Sequence, residues 1–311
     1  MFSFNSSELH VAWCGLASYL TSTPTTNIIT ANTVVIIVDM FLAVFTVVVN
    51  GLFISTYFNN RNLQNTSNML LVTLAVSDIL VGGLALPLAI TRATMEILET
   101  FNCTLFNLSR LVYIFCSGLS FLTIILITYD RYIAIYYPLR YHLLMSKRNT
   151  KICLIACGIL VIGLLLCRVY LSLERFFLII CSLTFFTTLS ALLVYTKILL
   201  AARRHNLQIQ NMTGSFKSSR QIIAFREIKT TKVMVYILGA MILCYYPGTC
   251  FWIYSAFHGY TLESLYTIVP YMESAVFLNS AINPLTYLLR NRNIRCAFSK
   301  HLHELFYKHT L

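Results

Sequence analysis

The sequence predicts an all-α membrane protein: a seven-transmembrane helix bundle with a short amphipathic cytoplasmic helix eight. Three observations carry this reading. Of 311 residues, 58% are hydrophobic and only 11% are charged, whereas a soluble domain carries about 25% charged residues; mean hydropathy is +0.72. Apolar runs fall at 33–58, 69–91, 111–135, 152–171, 176–200, 233–257 and 264–289, each near or above the ~20 residues that cross hydrocarbon. The runs are continuous and lack the period-two alternation of barrel strands, so helices must satisfy their backbone groups.

Charge sets the orientation. The net charge is +12, and of the 23 lysines and arginines all but Arg92, Arg110, Arg168 and Arg175 fall in alternate connections or after segment seven. The positive-inside rule then places the N-terminus outside and the C-terminus in the cytoplasm of a multi-pass plasma-membrane protein. A basic inner face suits anionic lipid headgroups, and this distribution does not point to nucleic acid. Residues 1–30 form the extracellular N-terminus, 31–290 the transmembrane unit, and 291–311 helix eight and the cytoplasmic tail. The N-terminal stretch has no basic region before an apolar one, so segment one reads as an uncleaved signal anchor. Sequons make Asn5 and Asn102 candidates for glycosylation.

The segments follow in order. Segment one carries Asp39 and Asn50. Segment two carries Leu74-Ala75-Val76-Ser77-Asp78 and is kinked by Pro87. Segment three carries Ser120, runs through Asp130-Arg131-Tyr132 and stops before Pro138. Only Ser172 to Arg175 separate segments four and five. Segment five carries Tyr195. A polar inner connection at 202–220 is the largest loop, too small for a catalytic domain. Segment six begins near Ile222, contains Glu227 and Tyr245, and is kinked by Pro247. Segment seven carries Glu273 and ends in Asn279-Ser280-Ala281-Ile282-Asn283-Pro284-Leu285-Thr286-Tyr287. Beyond it, Ile294, Phe298, Leu302 and Leu305 recur every three or four residues, as in a helix lying on the inner membrane surface.

Polar residues within these runs need a reason to be there. A carboxylate in hydrocarbon requires a cation or hydrogen-bond donors. One central cluster of Asp78 with Asn50, Ser120, Asn279 and Asn283 satisfies all of them, either around Na⁺ or as a water-filled structural network. Arg131 has Asp130 beside it and Glu227 as a distant partner, giving either a clasp between segments three and six or a plain interfacial ion pair. Tyr195 and Tyr287 lie in the cytoplasmic third, as interfacial anchors or as contacts for Arg131 in an opened state. On the outer side Arg92, Tyr113 and Glu273 are ligand-binding candidates. Glu273 either pairs internally with Arg92 or meets a cationic ligand group. Among ten cysteines, Cys103 has Cys14 or Cys167 as a partner. Catalytic constellations, phosphate loops and metal-ligand spacings are absent from the sequence, so no intrinsic enzyme is expected. No cofactor is required, and Na⁺ is an allosteric ion at most.

In combination, Asn50, Leu74 to Asp78, Asp130-Arg131-Tyr132, Pro138-Leu139-Arg140-Tyr141, Tyr195, Cys244 with Pro247, and Asn279 to Tyr287 resemble the rhodopsin-like (class A) G protein-coupled receptors over nearly the whole chain. The minimal second outer loop, the lack of a proline in segment five and Pro138 to His142 are nearest to the melanocortin and adenosine branch. The resemblance implies that Asp130, Arg131 and Tyr132 form the coupling switch, with Glu227 as the inactive-state partner. It implies a sodium pocket of Asp78, Ser120, Asn279 and Asn283. Asn283, Pro284 and Tyr287 would rearrange with Tyr195, and Tyr245 and Pro247 would transmit. The implied partners are a heterotrimeric G protein, stimulatory by analogy with the melanocortin group, and an extracellular peptide, lipid or small-molecule ligand. There are departures. Tyr245 stands where tryptophan is usual, and Phe106 stands where the usual segment-three cysteine belongs. The alternative is a non-signalling seven-helix membrane scaffold or trafficking protein. A transporter is disfavoured, since no repeat or discontinuous helix pair is visible.

Overall fold

The computed structural model describes residues 11–14, 17–20, 23–210, 219–290 and 292–307. Seven long helices form the bundle: α1 (Thr26–Asn59), α2 (Thr66–Ile97), α3 (Cys103–Tyr136), α4 (Lys147–Tyr170), α5 (Leu173–Gln210), α6 (Ser219–His258) and α7 (Leu262–Arg290). An amphipathic α8 (Arg292–Tyr307) follows. Helices α1 to α6 are long and apolar enough to cross a membrane. α7 has 29 residues, or about 43 Å at roughly 1.5 Å per residue, and packs between α1 and α6.

Every helix outruns its apolar run, because helix ends beyond the hydrocarbon need capping rather than apolarity. Thr25, Asn65, Asn102 and Ser146 occupy the N-cap positions of α1 to α4. Their side chains accept from backbone N–H groups three residues on, satisfying donors that the first turn leaves open. At the end of α2 the Thr100 N–H donates to Met95 O over 3.1 Å. Glu99 turns through φ 56° to allow it, a Schellman closure normally given to glycine.

The kink expected from Pro87 takes a specific form. The turn Val81–Ala85 is π-helical, which relieves the missing N–H and the ring clash one turn before the proline. Gly82 within it faces α1 so closely that an added Cβ would lie 2.8 Å from Val47 Cγ2 and 3.1 Å from the Ala43 carbonyl oxygen. Close approach through small residues is how membrane helices gain contact when lipid removes the hydrophobic drive between them.

Polarity is arranged inside out. Phe41, Leu243 and Phe257 are each at least three-quarters exposed on the outer surface of the bundle, whereas Asn50, Asp78, Asn279 and Asn283 are fully enclosed. An apolar core around Phe53, Leu74, Ile124, Ile127, Tyr195 and Met241 ties α1, α2, α3, α5 and α6 together.

Two features go beyond the sequence reading. The α4–α5 connection is shorter still than Ser172 to Arg175, since α5 already starts at Leu173 and only Leu171 and Ser172 intervene. The N-terminal region adds an antiparallel hairpin to the helical bundle. Its strands β1 (Val11–Cys14) and β2 (Ala17–Leu20) pair Val11 with Leu20 and Cys14 with Ala17, and it lies against α3.

Gly82→Val is expected to lower the melting temperature of the purified protein, because overpacking the α1–α2 seam costs about 1–3 kcal/mol. Gly83→Ala, with nothing within 4 Å of its added Cβ, should leave it unchanged or raise it. Equal effects of the two would remove the close-approach argument.

Candidate functional site

Functional side chains gather at three depths. At the centre, Asp78 on α2 is completely buried. Its Oδ1 accepts from Ser120 Oγ of α3 at 3.1 Å, and its Oδ2 accepts from Asn283 Nδ2 of α7 at 2.9 Å. Asn50 of α1 donates to the Thr46 carbonyl at 2.9 Å and to the Ser280 carbonyl of α7 at 3.3 Å. Asn279 is enclosed, yet neither its amide oxygen nor its nitrogen has a hydrogen-bond partner, and the same holds for Asn50 Oδ1. A buried amide left open in this way calls for a further ligand or water. The four residues of the expected pocket thus offer a carboxylate, a hydroxyl and amide oxygens, the donor type that a hard cation takes.

At the inner end, Arg131 Nε donates to Asp130 Oδ2 at 2.9 Å. A second guanidinium nitrogen reaches both Asp130 and Ser67 Oγ at the start of α2. Tyr141, in a single helical turn after α3, donates its hydroxyl to Asp130 Oδ1 at 2.9 Å. Tyr132 stacks at a tilt on Tyr136, with centroids 4.7 Å apart. Tyr195 is buried in the inner core, and Pro284 lies within α7. The side chains of Glu227 and Tyr287 lie outside the described residues, as does Asn5. Ser67 went unnoticed in the sequence, and Tyr141 stood there only within Pro138-Leu139-Arg140-Tyr141, with no link to Asp130. Only the fold carries the two to the Arg131–Asp130 pair.

At the outer end a charged network spans three helices. Arg92 on α2 donates to Glu96 one turn on at 3.3 Å and also to Glu273 of α7. The other Glu273 oxygen accepts from Arg110 of α3. Asn32 of α1 donates to Glu96 at 3.2 Å. The Arg92–Glu273 pair was among the alternatives the sequence left open, whereas Arg110 was missed: nothing in its local pattern separates it from an interfacial arginine. Asn102 is exposed, and its amide oxygen caps α3.

Between outer network and centre lies a cavity of about 190 Å³ whose walls include Arg110, Tyr113, Tyr245, Trp252 and Glu273. Tyr113 meets Phe277 edge-on at 5.6 Å, and Phe177 stacks on Trp252 at 3.8 Å. Tyr245 donates its hydroxyl to the Ser117 carbonyl at 3.0 Å and packs on Phe121 at 5.2 Å. Pro247 follows two residues later inside α6. Above the cavity, Cys14 of the hairpin is joined to Cys103, the first residue of α3, while Cys167 is free and exposed. The structure thereby chooses between the two partners the sequence offered.

Residues 49–287 match the family model described as "7 transmembrane receptor (rhodopsin family)". Similar proteins include the adenosine receptor A2a of Cavia porcellus, 30% identical over 304 residues covering 87% of this chain and 73% of the relative. The human adenosine receptor A2a is 30% identical over 310 residues, covering 88% and 73%. The histamine H2 receptor of Cavia porcellus is 28% identical over 273 residues, covering 79% and 72%.

The disulfide yields a paired expectation. Cys14→Ser and Cys103→Ser should each lower thermal stability by about 2–5 kcal/mol, and the double variant should lose no more than either alone. Cys167→Ser should be neutral. Additive losses on melting the purified protein would reject the pairing.

Proposed function

Because the chain belongs to the rhodopsin family of seven-transmembrane receptors and is a G protein-coupled receptor, we propose that a small molecule in the outer cavity opens its inner face to a heterotrimeric G protein. The observation that carries this reading is the position of Tyr245. It lines the cavity, is tied to the α3 backbone at Ser117, and packs on Phe121, itself part of the inner core. A ligand that moves Tyr245 therefore moves α6 against α3 about the Pro247 kink.

The inner half of the mechanism rests on Arg131. In the closed arrangement its guanidinium is held by Asp130 and Ser67. Release would free it to meet the C-terminal helix of a Gα subunit, with Tyr195 and Tyr287 closing on it from α5 and α7. Tyr132 would flank the opening and Glu227 would oppose it from α6. The receptor then promotes nucleotide exchange in its partner and makes no covalent bond itself. We assign the partner to the stimulatory Gα class.

Asp78, Ser120, Asn279 and Asn283 suit Na⁺, and the unpartnered Asn279 amide supports that assignment. The ion, when bound, supplies the positive charge that lets Asp78 remain ionised. Ser120 and Asn283 meanwhile fix the carboxylate between α3 and α7. The N-terminus faces outside: the Cys14–Cys103 disulfide belongs to an oxidising compartment, and most basic residues fall on the opposite side.

In cells carrying Gα dissociation sensors, basal signal should fall to background in Arg131→Ala at matched surface expression. The stimulatory sensor should be the one that responds. Equal signals from wild type and variant would favour a non-signalling scaffold. Raising external sodium should lower the wild-type basal signal and leave Asp78→Asn unmoved; an unchanged sodium response in that variant would remove the ion from this pocket.

A further inference from the structure

Resting on the outer cavity as the ligand site, we propose that it takes a compact aromatic zwitterion: an ammonium against Glu273 and a carboxylate against Arg110, on an aromatic body of amino-acid size.

The cavity wall carries both signs of charge side by side, since Arg110 and Glu273 both line it and are paired with each other. Arg92, which does not line the cavity, holds Glu273 from behind through its other oxygen. Arg110 is the more accessible partner, with 29% of its side chain exposed against 7% for Glu273. It is therefore the group that can turn to a ligand while Glu273 stays anchored.

Two carboxylates, Glu96 and Glu273, are ion-paired with two guanidiniums, Arg92 and Arg110. Arg168 lies within electrostatic reach of Arg110, with its guanidinium over the Phe176 ring at 5.8 Å. A lone amine arriving at Glu273 would be pressed against Arg110 with no counter-charge. A lone acid arriving at Arg110 would be pressed against Glu273. Either would leave an uncompensated charge away from water, which is strongly unfavourable. A zwitterion inserts as a second dipole antiparallel to the Arg110–Glu273 pair, so that four charges alternate and the net charge does not change. Each carboxylate oxygen accepts more than one hydrogen bond and a guanidinium donates five, so neither residue must abandon the other.

Size and lining set the rest of the molecule. A volume of about 190 Å³ is smaller than the ~300–1,000 Å³ of ordinary ligand pockets and suits a body of amino-acid size. Tyr113, Phe121, Phe177, Tyr245 and Trp252 supply aromatic walls, the surroundings in which a ring packs edge-on or offset.

The test uses the full-length receptor, purified and in sensor cells, with three probes sharing one skeleton: L-phenylalanine, 2-phenylethylamine and 3-phenylpropionate. L-Tyrosine and L-tryptophan extend the first. The zwitterions should raise the melting temperature and shift the Gα signal. Each charge removed should weaken the effect about 10- to 100-fold, the loss that accompanies one charge-assisted hydrogen bond. Arg110→Gln keeps Glu273 paired through Arg92, so it should fold. In it the preference for L-phenylalanine over 2-phenylethylamine should collapse toward unity. An amine or an acid matching the zwitterion on wild type overturns the proposal, and so does an unchanged preference in Arg110→Gln. So does the absence of any shift from all three amino acids at millimolar concentration. A basal signal that still depends on Arg131 in that last case leaves the receptor reading standing and removes only the ligand class.

Discussion

A carboxylate enclosed in a membrane protein is cut off from bulk water, and Asp78 makes that constraint the organising point of this bundle. Its two oxygens are met from two different helices, by Ser120 and Asn283. A slip of α3 or α7 by one turn would carry either donor about 5.4 Å away. Stranding a buried polar group costs about 1–3 kcal/mol and more when it is charged, while a buried methylene contributes about 0.8 kcal/mol at most. In lipid even that apolar term is weak between helices. The polar hub therefore fixes the depth of the helices, and apolar contacts such as the Gly82 approach to α1 fix their spacing.

The two ends of the bundle hold charge in different ways. On the outer side the ion pairs cross between helices: Arg92 and Arg110 reach Glu273 from α2 and α3. Removing one partner from such a pair is worth about 3–5 kcal/mol. On the inner side, among the described residues, the Arg131–Asp130 pair joins neighbours on a single helix. The Ser67 and Tyr141 contacts that reach beyond α3 are hydrogen bonds to charged groups, each worth about 1.5–3 kcal/mol.

What the sequence revealed follows from what lipid enforces. The seven segments were visible because hydrocarbon demands long apolar runs, and their ends were not, because capping by Thr25, Asn65, Asn102 and Ser146 carries each helix past its run. The Asp78 cluster was legible because every polar residue in an apolar run must find a partner, and few were on offer. Arg110 and Ser67 were hidden for the opposite reason. They sit near helix ends, where polar residues need no explanation, and their partners are remote in sequence. The hairpin was equally hidden: its strands are four residues each, too short for alternation to register. Glu273 was singled out with two competing roles, and the structure shows the internal pair directly.

The same short connection that closes α4 to α5 explains why the disulfide lies where it does. Two residues, Leu171 and Ser172, leave no loop to cover the cavity or to anchor the outer end of α3. The N-terminal hairpin anchors that end of α3, through Cys14 and Cys103 across a separation of 89 residues. Closing a loop of that length in the unfolded chain contributes about 4–5 kcal/mol in the chain-entropy model. The location matters more than the amount. α3 is the helix that carries Arg110 in the outer network, Ser117 against Tyr245, Ser120 at the hub and Arg131 at the inner mouth. A covalent tie at its first residue, together with the hydrogen bond to Asp78 midway, leaves α3 fixed in depth. On α6, Tyr245 lines the cavity and donates to the Ser117 carbonyl of that helix, two residues before Pro247.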